Sequence, residues 1–257
     1  MAWLHLPYLE QRLATRWLGR SLVYCTVASS TQDVARREAE AGAPPGTVVV
    51  ADEQTAGRGR LGRSWVSPPG HNLYLTVVLR PPKPQVAQLV MAAPLAVALA
   101  VEETTPLQAG IKWPNDVWIG RRKVSGVLIE TEIRGDEVQY ALVGIGVNVN
   151  MDVAAFPEII EVATSLRQEL GREVPREDVL AAILNHLEAL LEGPSPEEVW
   201  RRWRERLITL GQQVRVLWGQ EVIEGLAEDV DAQGHLLVRR PDGTLVAIEA
   251  GDVTLRG

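Results

Sequence analysis

The sequence predicts a mixed α/β (α+β) domain, a mixed sheet packed with helices, followed by a small all-β unit. Three observations carry this. Helical and strand-like periodicities alternate through the first 210 residues. From Gly211 onward, short strand-like runs are separated by turn residues at spacings of about ten. A chain of 257 residues is also long enough for one large core and one small one. We place the boundary near Leu210, giving units of 1–210 and 211–257.

The elements follow in chain order. Leu6, Leu9, Leu13 and Trp17 recur at helical steps, so residues 4–18 predict an amphipathic helix with Pro7 in its first turn. Residues 34–41 predict a second helix, closed by Gly42. The runs 47–51 and 72–79 read as strands. Residues 86–101 are apolar but contain Gln88 and Pro94, and fall short of the ~20 residues that span a bilayer, so they predict a buried helix. Residues 111–119 are extended around a Pro114-Asn115-Asp116 turn, and 124–133 and 138–149 predict strands paired about Gly135-Asp136. Helices are expected at 177–191 and 196–210; Ser195, Pro196 and Glu198 form the start signal of the second. Beyond them, 214–218, 235–240 and 244–251 read as short strands.

A net charge of −7 argues against a general nucleic-acid partner, because phosphate contacts need a basic footprint. Cys25 is the one cysteine, so no intramolecular disulfide framework or thiolate cluster can form. The first residues lack the order of a signal peptide, and no membrane role is expected. A reducing cytoplasm is the expected setting. Nothing in the sequence explains eight Trp against one Phe.

Four segments carry chemistry. In TAGRGRLGRSW, Gly57, Gly59 and Gly62 alternate with Arg58, Arg60 and Arg63 before Trp65. Glycines let the backbone approach a ligand, and guanidinium forks suit carboxylate and phosphate oxygens, although a solvated basic hairpin tip has the same composition. In IKWPNDVWIGRRKVSGVLI, Lys112, Asn115 and Asp116 surround a turn, and Lys123 leads directly into a run that should be buried, with Gly126 leaving room for close approach. In VGIGVNVN, Gly144, Gly146, Asn148 and Asn150 interrupt an apolar strand; ligand contact explains both residue types, a bulge only the glycines. Ser30, Thr31 and Gln32 precede a helix and would, alone, be ordinary caps.

Together these segments resemble the catalytic core of biotin–protein ligases. The family pattern runs from a Ser-Thr-Asn segment through Gln-x-x-Gly-Arg-Gly-Arg-x-Gly-Arg-x-Trp to Lys-Trp-Pro-Asn-Asp, a Lys before Gly, and Gly-x-Gly-x-Asn. Here these stand at Ser30-Thr31-Gln32, Gln54 to Trp65, Lys112 to Asp116 with Lys123 and Gly126, and Gly144 to Asn148. Gln32 departs from the pattern by replacing Asn with a longer amide.

The resemblance implies a catalytic domain like those of class II aminoacyl-tRNA synthetases, with a C-terminal SH3-like β barrel. It implies that biotin attacks the α-phosphate of ATP, giving biotinyl-5′-AMP, and that a lysine of a biotin carboxyl carrier protein, the acetyl-CoA carboxylase subunit, then takes the biotin. Mg²⁺ would accompany ATP. Lys123, Arg60 and Asp116 would be catalytic. Ser30, Thr31, Gln32, Gln54, Gly57, Arg58, Gly59, Arg60, Lys123, Gly126 and Gly146 would bind biotin. Arg58, Arg60, Arg63, Trp65, Lys112, Asn115, Lys123 and Asn148 would bind ATP, and Trp65 and Trp113 would either wall the pocket or serve equally as core. No protein metal ligand is assigned. The loop 57–63 is expected to order over ligand and keep water from the acyl-adenylate. The chain start is too short for the family's DNA-binding domain, so the resemblance is to ligases that are not repressors, and they often dimerise through the large sheet. Three other readings use the same residues: a lipoate–protein ligase, a non-catalytic biotin-sensing regulator, and an interaction module built on the β tail.

Overall fold

A computed structural model describes residues 3–256; residues 1, 2 and 257 of the two expected units lie outside the described residues. The larger unit is a seven-stranded mixed sheet in the order β1-β2-β3-β7-β6-β5-β4. Its strands are β1 (Leu22–Cys25), β2 (Val48–Ala51), β3 (Leu73–Leu79), β4 (Gly110–Lys112), β5 (Asp116–Ile119), β6 (Arg122–Arg134) and β7 (Glu137–Val147). β1 and β2 run parallel, and the other neighbours pair antiparallel.

Strand periodicity divides the core between the two faces. Val48 and Val50 point to one side, packed with α3 (Val86–Thr104), α5 (Arg176–Glu192) and α6 (Pro196–Arg204). Val49 and Ala51 point to the other, where α2 (Thr31–Glu40) contributes Val34, Ala35 and Ala39. Covered on both faces, β2 and β3 are buried along their whole length, which is why they read as unbroken apolar runs. Helix α3 is long and apolar enough to cross a membrane by length and composition, but 61% of its apolar window is buried within the protein. An ion pair inside the core, Arg176 to Asp52 at 2.7 Å, ties the start of α5 to the sheet. Tyr24 donates its hydroxyl to the same carboxylate, and burial together with that bond pushes the phenol up to about 12.

Three of the helix boundaries that differ from expectation do so for a visible reason. The helix expected over 4–18 is α1 (Leu6–Arg12) and ends there. Beyond it the buried Glu188 carboxylate accepts the backbone N–H groups of Arg16 (2.6 Å), Trp17 (3.0 Å) and Leu18 (2.9 Å), replacing the carbonyls that a longer helix would offer. Helix α2 starts at Thr31 rather than 34, because the Ser30 hydroxyl caps the amide of Gln32. Helix α6 stops at Arg204 rather than 210. The chain then runs beside β4, where Ile111 N–H donates to Arg206 O (2.8 Å) and Ile208 N–H to Ile111 O (3.0 Å). β1 and the short α4 (Leu166–Leu170) were not expected.

The C-terminal unit is a five-stranded antiparallel sheet ordered β11-β10-β9-β8-β12. Its strands are β8 (Gln213–Trp218), β9 (Glu221–Val230), β10 (Leu236–Arg239), β11 (Leu245–Ile248) and β12 (Asp252–Arg256). β9 escaped sequence reading because its inward positions include Gly225 and Ala227, which give little apolar signal. The unit is fastened to the large domain by the indole N–H of Trp113 on Gly234 O (2.8 Å), that of Trp200 on Asp231 O (2.7 Å), and the Arg204–Asp229 pair (2.6 Å).

Replacing Glu188 by Ala strands three amides without an acceptor. Glu188→Ala should lose about 3 kcal/mol or more in urea unfolding, whereas Glu188→Gln, which keeps one acceptor oxygen, should lose less.

Candidate functional site

A cavity of about 630 Å³ opens where the strand ends, the Gly/Arg loop and the C-terminal sheet meet. Of the predicted site residues, all but Gly57 line it: Ser30, Thr31, Gln32, Gln54, Arg58, Gly59, Arg60, Arg63, Trp65, Lys112, Asn115, Asp116, Lys123, Gly126, Gly146 and Asn148. Four segments distant in sequence thus share one space.

The floor is made by a register match. Gly126 of β6 lies directly opposite Gly146 of β7, so two neighbouring positions on one sheet face carry no side chain. The Trp65 ring lies on this bare patch. A Cβ on Gly146 would stand 2.5 Å from the indole, and one on Gly126 would stand 3.0 Å from Lys123 Nζ and 3.1 Å from the Trp65 ring. Gly144 clears space for the Gln32 amide in the same way, at 2.9 Å. Gly57 stands one step back from the wall; a side chain there would meet Trp65 O at 2.5 Å. It closes a narrow hairpin in which Trp65 N–H donates to Gly57 O (2.9 Å) and Gly59 N–H to Arg63 O (2.7 Å).

Cationic groups are distributed unevenly around this floor. Lys123 Nζ lies 2.7 Å from Asp116 Oδ1 and 5.3 Å above the Trp65 ring. Lys112 Nζ packs over Trp118 at 4.8 Å. Arg60 donates to Asn115 Oδ1 (3.0 Å), and the Asn115 amide nitrogen donates in turn to Val127 O. Burial lowers the pKa of both Lys112 and Arg60, and the Asp116 charge opposes that shift most strongly. Each would therefore gain from an anion brought into the cavity. The outer arginines are already partnered: Arg58 with Asp33 of α2 at 2.7 Å, and Arg63 with Asp252 of β12.

The polar end is built on α2. Gln54 Oε1 accepts from the Thr31 amide (2.8 Å) and hydroxyl (3.2 Å), its Nε2 donates to Ser67 Oγ (3.0 Å), and Thr76 donates to Thr31 Oγ1 (2.9 Å). Gln32 Nε2 donates to Leu128 O (3.1 Å), while its Oε1 is buried without a donor. The longer amide thus leaves one unanswered acceptor at the cavity wall.

Two walls were missed by sequence reading. The first holds Ile159 to Ala163, tied to the lysine strand by Lys123 N–H on Val162 O (2.8 Å) and Thr164 N–H on Lys123 O (2.9 Å). Asn148 secures it by donating to Thr164 O (3.0 Å). The second runs from Gly251 to Leu255 in the C-terminal unit. Its one local signal is Gly251-Asp252 after a strand-like run. Trp113 is only 2% exposed and serves mainly as core.

Comparison with known proteins agrees with this geometry. Residues 23–148 match the biotin/lipoate A/B protein ligase family, and residues 209–256 match the biotin protein ligase C terminal domain. The bifunctional ligase/repressor BirA of Bacillus subtilis is 36% identical over 251 residues, covering 95% of this chain and 76% of that protein. The biotin–[acetyl-CoA-carboxylase] ligase of Mycobacterium tuberculosis is 34% identical over 242 residues, covering 90% of this chain and 87% of that one. Among solved structures, a biotin protein ligase from Aquifex aeolicus in complex with biotin and ATP superposes with a TM-score of 0.79 at 34% identity, covering 92% of this chain and 99% of that one.

The glycine floor can be tested without any ligand. Gly146→Ala should shift the Trp65 ring, changing the near-UV circular dichroism while leaving the far-UV spectrum intact, and should lower stability by about 1–3 kcal/mol. An unchanged near-UV spectrum would show that the ring does not rest there.

Proposed function

The chain belongs to the biotin/lipoate A/B protein ligase family, and within it we propose that this protein is a biotin–protein ligase, an enzyme that activates biotin with ATP and transfers it to a lysine of a biotin-dependent carboxylase. In the first step a biotin carboxylate oxygen bonds to the α-phosphorus of ATP as the bond to the β-phosphate oxygen breaks. Biotinyl-5′-AMP forms and pyrophosphate leaves. In the second step a neutral lysine amine attacks the acyl carbon, the bond to the phosphate oxygen breaks, AMP departs and the amine loses a proton.

The observation that carries this reading is the sharing of one cavity by Arg60, Lys112 and Lys123. Two anions must meet in the first step, and positive charge fixed in a partly desolvated space lowers that barrier most. Lys123 is assigned to bridge the biotin carboxylate and the α-phosphate, with Arg60 on the phosphate side and Lys112 on the phosphates beyond. Asp116, 2.7 Å from Lys123, holds that ammonium in place and is the nearby carboxylate able to take the proton from the incoming amine. Asn115, with both ends of its amide engaged, serves to position Arg60. The unanswered Gln32 oxygen suits a ureido N–H of biotin. Mg²⁺ would arrive with ATP, since no group of three His, Cys, Asp or Glu side chains gathers among the described residues and Mg²⁺ is commonly held by substrate phosphates and water.

The carrier is assigned as a biotin carboxyl carrier protein, the setting as the cytoplasm and the assembly as a homodimer. β1 supports the last point: it lies at the end of the sheet order, with a backbone edge suited to pairing.

Incubation with biotin, ATP, Mg²⁺ and a carrier domain should add one biotin mass to the carrier, with biotin but not lipoate driving ATP–pyrophosphate exchange. Lys123→Ala should cut exchange at least 100-fold while the fold is retained; exchange at the wild-type rate would remove Lys123 from the mechanism. Amide hydrogen exchange over residues 57–63 should slow at least tenfold when biotin and ATP are bound. Equal rates with and without ligand would mean that the loop does not close.

A further inference from the structure

The hydrogen bonds at the polar end of the cavity run in one direction, and that direction is forced. A backbone N–H only donates, so the Gln54 atom 2.8 Å from the Thr31 amide is its carbonyl oxygen. A carbonyl oxygen only accepts, so the Thr31 hydroxyl, 3.2 Å away, spends its hydrogen there. The Thr31 oxygen must then accept from Thr76, at 2.9 Å. At the other end of the same amide, Ser67 donates to Trp65 O (2.9 Å) and therefore accepts from Gln54 Nε2 (3.0 Å). One chain thus runs from β3 through Thr31 and Gln54 to the close of the Gly/Arg loop.

Packing alone does not call for the outer two members of this chain. Thr76 is fully buried in β3, flanked across the sheet by Val49 and Gly144. Valine has nearly the same shape and would fill that space without the cost of burying a hydroxyl. Ser67 is buried as well, and both stand behind Thr31 and Gln54, which line the cavity. Polar groups buried and satisfied in this way hold their neighbours in a single arrangement.

Resting on the ligase reading above, we propose that Thr76 and Ser67 are positioning residues for the ureido ring of biotin. They brace the two ends of the Gln54 amide and so fix the polarity that it shows to a ligand. With Oε1 filled by two Thr31 donors, Gln54 has no acceptor left to offer. Its Nε2 carries two hydrogens and spends one on Ser67, leaving the other for a ligand carbonyl. Gln32, also at the cavity wall, shows the opposite polarity through its unanswered oxygen. A ring that carries C=O beside N–H answers both amides, whereas a dithiolane ring answers neither. Loosening either brace spoils the match at this end and leaves the cationic end untouched.

Titration calorimetry on the full chain tests the brace directly. Thr76→Val and Ser67→Ala should each raise the Kd for biotin about fivefold or more. Desthiobiotin, which keeps the ureido ring, should lose affinity in the same proportion. In ATP–pyrophosphate exchange the loss should appear in the KM for biotin, with the KM for ATP and the maximal rate within about twofold of wild type. Thr76→Ser, which restores the hydroxyl, should bring biotin binding back to within about twofold. In a Gln54→Ala background neither substitution should add more than about a further twofold, because the amide they brace is gone. Unaltered biotin affinity in both variants overturns the proposal. So does a matching loss of ATP affinity, a failed rescue by serine, or full additivity with Gln54→Ala, each of which marks a purely structural role. Should Thr76→Val not fold, Ser67→Ala decides the matter by the same criteria. A wild-type chain that binds biotin without supporting exchange would instead defeat the ligase reading, with the Kd series still deciding the brace.

Discussion

The site depends on one constraint of sheet register: Gly126 must stand opposite Gly146. Side chains alternate with a period of two, so a slip of β6 by one residue against β7 would turn Gly126 to the other face and set Ser125 or Val127 opposite Gly146. With the register fixed, the sheet offers a bare strip on which an aromatic ring can lie flat. The ring belongs to Trp65, at the end of the Gly/Arg loop, so the loop and the lysine strand share one contact surface.

From that contact the electrostatics follow. Lys123 sits between the Asp116 carboxylate and the Trp65 face, and is also held through its backbone by the segment at 162–164. Its ammonium is therefore placed by packing and main-chain bonds before any substrate arrives. Preorganised charge of this kind costs no reorganisation when the transition state forms. Arg60, held by Asn115, follows the same rule. Within the Gly/Arg loop the labour is divided: the central arginine reaches inward, and the outer two fasten the loop to α2 and β12.

The large unit was largely legible in the sequence. The strands at 48–51 and 73–79 and the pair about Gly135 stood out because burial on both faces, or a two-residue turn, leaves a strong local pattern. The motif residues stood out as a set because glycine, arginine and lysine occur where a structural strand would not carry them, and the fold brings all but Gly57 to one cavity. What local pattern missed was set by distant contacts. Glu188 shortens α1 from more than 170 residues away, and the edge of β4 draws the chain out of α6. The walls at 159–163 and 251–255 carry ordinary residues, and their role arises only from where the fold puts them. Gln32 was visible as a departure, but its unpaired oxygen depends on Gly144 and Leu128, which no local pattern connects to it.

The fastenings of the Gly/Arg loop have a further consequence. Both lie at the surface: the Arg58 and Asp33 side chains are each more than a third exposed, and Arg63 more so. Ion pairs of that kind contribute no more than about 1 kcal/mol each and are weakened by dissolved electrolyte. These two outer pairs thus add little to what the Trp65 contact and the Arg60–Asn115 bond already hold, and they leave the proposed cover able to lift without a large electrostatic cost. An enzyme that must admit two reactants, expel one fragment and then meet a macromolecule needs a door that is easily moved, and a firmer seal would slow every passage through it.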